Sequence, residues 1–178
     1  MTRCLPDTMH LRLHYPLLTA CVTLGLAACS APPIQRNETS DLPPGMAPEV
    51  PGRLSQDQAN DVTLHAISLV GTPYRWGGNT PESGFDCSGL IAYVYKSSAQ
   101  VPAPRTVAAL TGWGQPVPPA TLRSGDLVVF VQKGVANHAG IYVGEGRFVH
   151  APSTGGEVRL DSLSSSYWSR QQVSYRRP

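Results

Sequence analysis

The feature that most constrains the fold is a change of hydrophobic period along the chain. From Ser55 to Val70, apolar residues recur at helical spacing behind a capping box, in which Gln58 follows Ser55 by three residues. A second helical stripe follows Cys87. Beyond residue 126, short runs of branched and aromatic residues alternate with Gly and Ser turns, which is typical of antiparallel strands. The pattern predicts an α+β domain with N-terminal helices packed on a small antiparallel β-sheet.

Each predicted element has approximate bounds. The helices are expected at 56–70, from Cys87 onward, and as a short turn within 106–113. The strands are expected at 127–131, 139–143, 147–150, 157–160 and 172–175. Between the first two helices, the Gly- and Pro-rich stretch over 72–85 is expected to be a loop.

The N-terminus has the pattern of an export signal. An apolar stretch over 17–26 follows Arg12 and is too short to span a bilayer. It ends in Leu26-Ala27-Ala28-Cys29, which resembles the lipobox of bacterial lipoproteins. This resemblance implies that residues 1–28 are a removed signal peptide and that Cys29 is acylated. An ordinary export signal that precedes a cysteine by chance is the alternative.

A lipidated Cys29 would attach the chain firmly to a membrane, because several acyl chains bind far better than one. Ser30 follows it, where lipoproteins kept at the inner membrane usually carry Asp, so the resemblance implies the periplasmic face of the outer membrane of a Gram-negative cell. The true start is either Met1 or Met9, since the first eight residues fit a signal poorly.

Residues 29–54 are expected to form a lipidated linker, because they hold six prolines and few large apolar residues. The folded domain is then expected at 55–178. Its length fits one ordinary domain. The formal net charge of +2 arises from scattered Lys and Arg rather than a basic stripe, so we expect no nucleic-acid partner.

Counting cysteines leaves one thiol to explain. Of the four, Cys4 and Cys21 would leave with the signal and Cys29 would carry lipid. Only Cys87 then remains. An unpaired cysteine in an oxidising compartment is either a buried bystander or a reactive group.

Cys87 is expected at the first turn of the second helix. A helix N-terminus favours the thiolate, which is the nucleophilic form, and its amides can also hold an oxyanion. This position therefore suits a catalytic nucleophile. Gly89 would either leave room for substrate beside the backbone or let the helix pack closely.

Three histidines remain as possible bases for Cys87. His65 lies on the first helix and is expected to be a surface side chain. His138 and His150 flank a hairpin with the expected three-residue turn 144–146, in which 140 would face 150. That register places both imidazoles on one face of the sheet, so that one can act as base and the other can orient it.

At this point the chain resembles the NlpC/P60 cysteine peptidases of bacterial cell walls. The resemblance rests on five strings in family order: Thr72-Pro73-Tyr74-Arg75-Trp76-Gly77-Gly78, Phe85-Asp86-Cys87-Ser88-Gly89-Leu90, Pro104-Arg105-Thr106, Arg123-Ser124-Gly125-Asp126-Leu127 and His138-Ala139-Gly140-Ile141-Tyr142. It implies a papain-like fold and hydrolysis of peptidoglycan stem peptides, typically between γ-D-glutamate and a diamino acid. It also implies Cys87 as nucleophile, His138 as base and His150 as orienter.

The resemblance further implies that Tyr74, Asp86 and Ser88 hold the N-terminal portion of the stem peptide. A carboxylate can pair with a free amine, and hydroxyls can hold a carboxylate. Alternatively, Tyr74 packs on the helix and Asp86 caps the helix start, a role that can coexist with substrate binding.

Other functions remain open on the residues alone. One Cys and two His could bind zinc, but no clear fourth ligand exists, so we expect neither a metal nor another cofactor. A catalytically silent peptidoglycan-binding lipoprotein, or a thiol amidase or acyltransferase acting on another substrate, would carry the same residues. A regulatory adaptor is a further possible partner, since uncontrolled cutting of the wall would harm the cell.

Overall fold

A computed structural model of the chain describes residues 50–154 and 156–178. The predicted signal peptide, Cys29 and most of the predicted linker lie outside the described residues. The helices are α1 (Gln56–Ser68), α2 (Cys87–Ala99) and the short α3 (Val107–Leu110). The strands are β1 (Asn79–Thr80), β2 (Gly84–Phe85), β3 (Gln115–Pro116), β4 (Leu127–Gln132), β5 (Val135–Gly144), β6 (Arg147–His150), β7 (Arg159–Ser162) and β8 (Gln172–Arg177).

Six strands form one antiparallel sheet in the order β3-β8-β4-β5-β6-β7, and β1 and β2 form a separate two-stranded ribbon. Both long helices precede the main sheet, as the change of period predicted. The α+β fold with helices packed on an antiparallel sheet is therefore confirmed.

The main sheet has two different faces because side chains alternate along each strand. Its helix face carries Leu127, Val129 and Ile141, which join the large core with the apolar sides of α1 and α2. The opposite face, which we call the histidine face, carries a smaller cluster of Val128, Phe130 and Phe148. The side chain of His138 stacks at 5.9 Å on Phe130, so it lies on this second face.

The helix starts follow the sequence closely. At α1 both hydrogen bonds of the predicted capping box are present, at 3.2 Å to the Ser55 hydroxyl and 3.0 Å to the Gln58 side chain. The helix ends at Ser68, two residues before the predicted end. α2 begins at Cys87, as predicted, and Asp86 is its N-cap. Local capping chemistry therefore determines where the nucleophile candidate sits.

The hairpin between β5 and β6 has the predicted register but a different turn. Ile141 pairs with Val149, the register in which 140 faces 150. The predicted three-residue turn is wrong: Gly144 pairs with Arg147, and the register shifts between Tyr142 and Gly144. The positive φ of Gly144, at 99°, accommodates this irregularity. A two-residue turn alone would separate the two histidines, and the extra residue restores their common face.

The folded unit also includes residues that the sequence assigns to the linker. Leu54 is 7% exposed and belongs to the large core. The Arg53 N–H donates to the Pro178 carbonyl at 2.7 Å, and the Arg177 guanidinium donates to the Val50 carbonyl at 2.9 Å. Residues 50–54 therefore pack against the end of β8. Within 50–154 and 156–178, no helix is both long and apolar enough to cross a membrane.

Candidate active site

The first turn of α2 is anchored by Asp86. One carboxylate oxygen accepts the Gly89 N–H at 2.6 Å, which caps the helix, and the other accepts the Gly77 N–H at 2.9 Å. The Ser88 hydroxyl donates to the same carboxylate at 2.9 Å. The loop before the helix and the helix start are thus held as one unit, with Cys87 as the first helical residue.

Cys87 meets the sheet beside the His138 residue. The backbone N–H groups of Ala139, the next residue after His138, and of Ser88 and Cys87 itself lie near its sulfur and lower the pKa of the thiol. The described thiol is free and half-buried. The nucleophile candidate therefore lies where α2 abuts β5.

The protonation state of Cys87 differs from the sequence expectation. Burial raises the pKa of the thiol, the Asp86 charge raises it further, and the three N–H contacts lower it. The net pKa lies above the ordinary value. The helix start alone predicts a lowered pKa, but desolvation of the thiolate and the adjacent N-cap carboxylate outweigh the helix dipole.

The two predicted histidines are in direct contact on the histidine face. His138 Nε2 and His150 Nδ1 are 2.8 Å apart, and the rings are edge to face at 5.0 Å. His150 is fully buried, whereas His138 is partly exposed. The hairpin register predicted from the sequence therefore places His138 and His150 side by side, as the structure does.

Asp161 and Trp168, which sequence reasoning missed, continue the hydrogen bonds of the two histidines. We call His138, His150 and Asp161 the histidine row. His150 Nε2 lies 3.1 Å from Asp161 Oδ2, and the Trp168 indole N–H donates to the same oxygen at 2.9 Å. Asp161 lies on β7, which begins two residues later than the strand predicted at 157–160. No local sequence pattern marks Trp168 as part of the site. Asp161 and Ser162 follow Leu160 as two polar residues, a pattern typical of an exposed turn, so the sequence does not indicate that the carboxylate faces His150.

The row determines which nitrogen of His138 is free. Burial raises the pKa of Asp161, but hydrogen bonds from Trp168 and His150 and the charges of His150 and Arg159 bring it below its ordinary value, so the carboxylate only accepts hydrogen bonds. His150 must therefore carry its proton on Nε2. Its bare Nδ1 then accepts from His138 Nε2–H, which leaves His138 Nδ1 with a lone pair.

Both imidazoles are neutral at pH 7. Burial lowers the pKa of His138 to about 3, the His150 charge adds to this, and Asp161 opposes it. Burial also lowers the pKa of His150 to about 4, against the opposing charge and hydrogen bond of Asp161. The resting site therefore holds a neutral thiol and a neutral base.

The three predicted substrate residues cluster around the thiol in different ways. Burial, Cys87 and Asp86 all raise the pKa of Tyr74, so the phenol lies within electrostatic range of both. Arg105 approaches Asp86 at 3.5 Å. Ser88 is 5% exposed, and its hydroxyl is shared between Asp86 and the Arg105 carbonyl at 2.8 Å. In this geometry Ser88 positions Asp86.

Other sequence alternatives are now distinguished. A Cβ on Gly89 would lie 2.0 Å from the Gly78 carbonyl, so close packing accounts for this glycine. His65 bonds Ser98 at 2.8 Å on the α1–α2 surface.

The described residues hold no group of three or more His, Cys, Asp and Glu side chains arranged around a common metal position. Both ring nitrogens of His150 already have partners, since Nδ1 faces His138 and Nε2 faces Asp161. The arrangement can supply a thiol, a bare imidazole nitrogen and backbone N–H donors. These are the parts of nucleophilic acyl transfer.

The chain is similar in sequence to a family of known proteins. The model of the NlpC/P60 family matches residues 71–177. The chain is 45% identical over 125 residues to the murein DD-endopeptidase MepH of Escherichia coli K12, covering 67% of this chain and 46% of that protein. It is 38% identical over 130 residues to the gamma-DL-glutamyl hydrolase of Bacillus subtilis 168, covering 70% of this chain and 31% of that protein.

One solved structure extends the comparison to the fold. RipD of Mycobacterium tuberculosis, described as a non-catalytic NlpC/p60 domain protein adapted to peptidoglycan binding, superposes with a TM-score of 0.57 at 25% identity. The match covers 69% of this chain and 98% of RipD. By contrast, the chain spans less than half the length of the two curated relatives named above.

Proposed function

The chain belongs to the NlpC/P60 family, and from that premise we propose that it is a cysteine peptidase that hydrolyses the peptide stems of peptidoglycan. The observation that carries the proposal is the hydrogen-bonded row of His138, His150 and Asp161, which leaves His138 Nδ1 bare at the strand that Cys87 contacts. A base with a lone pair beside a thiol is what attack on an amide requires.

The reaction follows from these positions. His138 Nδ1 takes the Cys87 proton as the sulfur attacks the carbonyl carbon of the stem peptide, and Asp161 stabilises the resulting imidazolium through His150. The N–H groups of Cys87 and Ser88, which face the sulfur, are placed to stabilise the oxyanion. The imidazolium then returns the proton to the leaving amine. Water, activated by the same nitrogen, hydrolyses the thioester.

We propose that Tyr74 and Asp86 contact the part of the stem peptide before the scissile bond. The supporting observation is their electrostatic coupling to the thiol, whose sulfur would attack the substrate. Asp86 already accepts two backbone N–H groups and the Ser88 hydroxyl, so it offers a substrate amine a fixed carboxylate. The Ser88 hydroxyl holds that carboxylate in place, and its own contact with the substrate stays a prediction.

The proposed bond joins γ-D-glutamate to a diamino acid. The name of the B. subtilis relative, a gamma-DL-glutamyl hydrolase, agrees with this bond. A second candidate is the crosslink between stems, because MepH, the more similar relative, is a DD-endopeptidase. In both candidates the leaving amine belongs to a diamino acid.

Digestion of purified peptidoglycan tests the function. A fragment from Ser30 to Pro178 retains residues 50–54, whose contacts with Arg177 a fragment starting at residue 55 would lose. We expect stem fragments from the wild type and none from Cys87→Ala, with masses that identify the bond. His65→Gln is the matched histidine control for His138→Gln, and only the latter should lose activity.

Binding without cleavage by the wild type would instead support a silent peptidoglycan-binding protein, the property described for RipD. Cleavage of other amides, with peptidoglycan untouched, would support a thiol amidase or acyltransferase. Equal release of fragments by wild type and Cys87→Ala would exclude the thiol mechanism.

We also propose that acylated Cys29 tethers the enzyme to the periplasmic face of the outer membrane and that this position, or an adaptor, limits its cutting. The lipobox-like string is the supporting observation. Labelled palmitate should enter the wild type and not Cys29→Ala. Wall turnover that is unchanged in cells expressing an exported, unanchored Cys29→Ala protein would contradict control by position.

A further inference from the structure

A cavity of about 500 Å³ lies on the histidine face and has no role in the chemistry described so far. Its walls include His138, His150 and Trp168, together with polar side chains from β5, β7 and the segment that follows β7. These polar side chains are Asn137, Arg159, Asp161, Ser165, Tyr167 and Gln171. Among the described residues that line it, Tyr74, Asp86 and Cys87 are absent. The cavity is thus separate from the group that surrounds the thiol.

Its position next to the base indicates which half of a substrate it would receive. The imidazole that deprotonates the thiol must next protonate the leaving amine, so the leaving residue has to lie against His138. Tyr74 and Asp86 are coupled to Cys87 and serve the other half. The cavity is therefore placed to hold the residues after the scissile bond.

The cavity also has a defined charge preference. Its carboxylate, Asp161, is mostly covered and turns one oxygen toward His150 and Trp168. Arg159 bonds the other oxygen through Nη2 at 3.1 Å, while its side chain stays 47% exposed. A guanidinium has five N–H donors, so further donors remain for a ligand. Both histidines are neutral at pH 7 and do not compete with Arg159 for an anion.

We propose that this cavity is the binding site for the leaving side of the substrate and that Arg159 selects a leaving diamino acid whose own carboxylate is free. The Asn137, Ser165 and Gln171 side chains supply neutral polar contacts to the peptide that follows. The inference rests on the proposed peptidase function. It holds for either candidate bond, because both release a diamino acid.

Two synthetic stem peptides test the proposal. They are identical before the scissile bond, and the leaving diamino acid carries a free carboxylate in one and a carboxamide in the other. We expect wild type to cleave the carboxylate peptide with about tenfold higher kcat/KM, the size of one charge-assisted hydrogen bond. In Arg159→Gln the ratio should fall close to one, and Arg159→Lys, which keeps the charge without the fork, should lie between them.

The ratio within one variant separates recognition from structure, because damage to Asp161 or His150 would slow both peptides equally. Arg147→Gln is the matched control: Arg147 is similarly exposed, pairs with Glu145 at 2.8 Å and does not line the cavity. It should keep the wild-type ratio. An unchanged ratio in Arg159→Gln, with cleavage intact, would overturn this inference alone. Cleavage of neither peptide by wild type would overturn the proposed function and, with it, the inference.

Discussion

At the scale of single residues, the site combines a thiol whose pKa is raised with imidazoles whose pKa values are lowered. A resting thiolate–imidazolium pair is therefore disfavoured, and in the proposed mechanism the proton moves when substrate reaches the sulfur. Asp161 is the residue that opposes this neutrality, because its charge raises the pKa of both His138 and His150. It acts as a positioning residue through His150.

Asp161→Asn tests that role at nearly constant volume. The amide can offer its oxygen to His150 and Trp168 only by turning its NH₂ toward Arg159, so the row loses an acceptor as well as a charge. We expect kcat to fall by roughly tenfold to a hundredfold with KM little changed. Nitrogen-15 NMR should show less His138 protonated at Nε2. Asp61→Asn, on the exposed side of α1, is the control, and equal kinetics in both variants would contradict the role.

Stability should also respond to these histidines. In the unfolded chain, histidine binds a proton below pH 6.5, whereas folded His138 and His150 do so only near pH 3 and 4. The unfolded state therefore binds more protons between these limits, and the free energy of unfolding falls as pH falls. From pH 7 to pH 5 the loss should be about 2 kcal/mol per histidine. Urea denaturation measures it, and replacing both histidines with Gln should flatten the dependence.

At the scale of elements, the histidine pair depends on strand register and on one irregularity in the β5–β6 hairpin. The common face of 138 and 150 could be predicted from their even spacing and an odd turn. In the structure the turn has two residues, and one extra residue lies in β5 near Gly144. Shortening the turn by one residue and adding one residue to the strand leave 138 and 150 on the same face. Register is therefore more robust to prediction than turn type.

The remaining differences have a common physical origin. Capping at Ser55 and Asp86 is local, so the sequence predicts it well. The pKa of Cys87 and the roles of Asp161 and Trp168 depend on burial and on contacts between distant strands, which local patterns do not contain. The predicted strand ended at residue 160, so Asp161 was placed outside the sheet, whereas β7 includes it.

Gly89→Ala tests the packing of α2 against the preceding loop. The new Cβ would lie 2.0 Å from the Gly78 carbonyl, which already accepts the Asp86 N–H at 3.1 Å. Because the obstacle is backbone, the loop must move and carry the N-cap with it. We expect a loss of roughly 1–3 kcal/mol of stability and a fall in kcat/KM. In Gly112→Ala the nearest atom lies at 3.9 Å, so this control should unfold near the wild-type temperature. Equal melting temperatures for the two variants would contradict the packing role.

At the scale of the whole molecule, the two ends of the described domain are joined by contacts of the Arg177 and Arg53 residues. Arg177 donates to Val50, Thr121 and both oxygens of Asp126. The pair is nearly inaccessible, at 3% and 1% exposure, and Arg53 bonds the Pro178 carbonyl. This cluster joins residues 50–53, which follow the proposed tether, to the end of β8.

Asp126→Asn should reveal how much of the fold depends on that cluster. The substitution leaves Arg177 buried with a neutral partner, and breaking a buried pair in this way costs about 3–5 kcal/mol. Glu145→Gln breaks the Arg147 pair, which has the same 2.8 Å separation but is exposed, and should cost less than about 1 kcal/mol. Urea denaturation of both variants measures the difference. Since the cluster lies apart from Cys87 and the histidines, folded Asp126→Asn protein should keep its kcat. A small loss of stability together with a large fall in kcat would contradict this, because the cluster would then act on the site instead of holding the two ends of the domain.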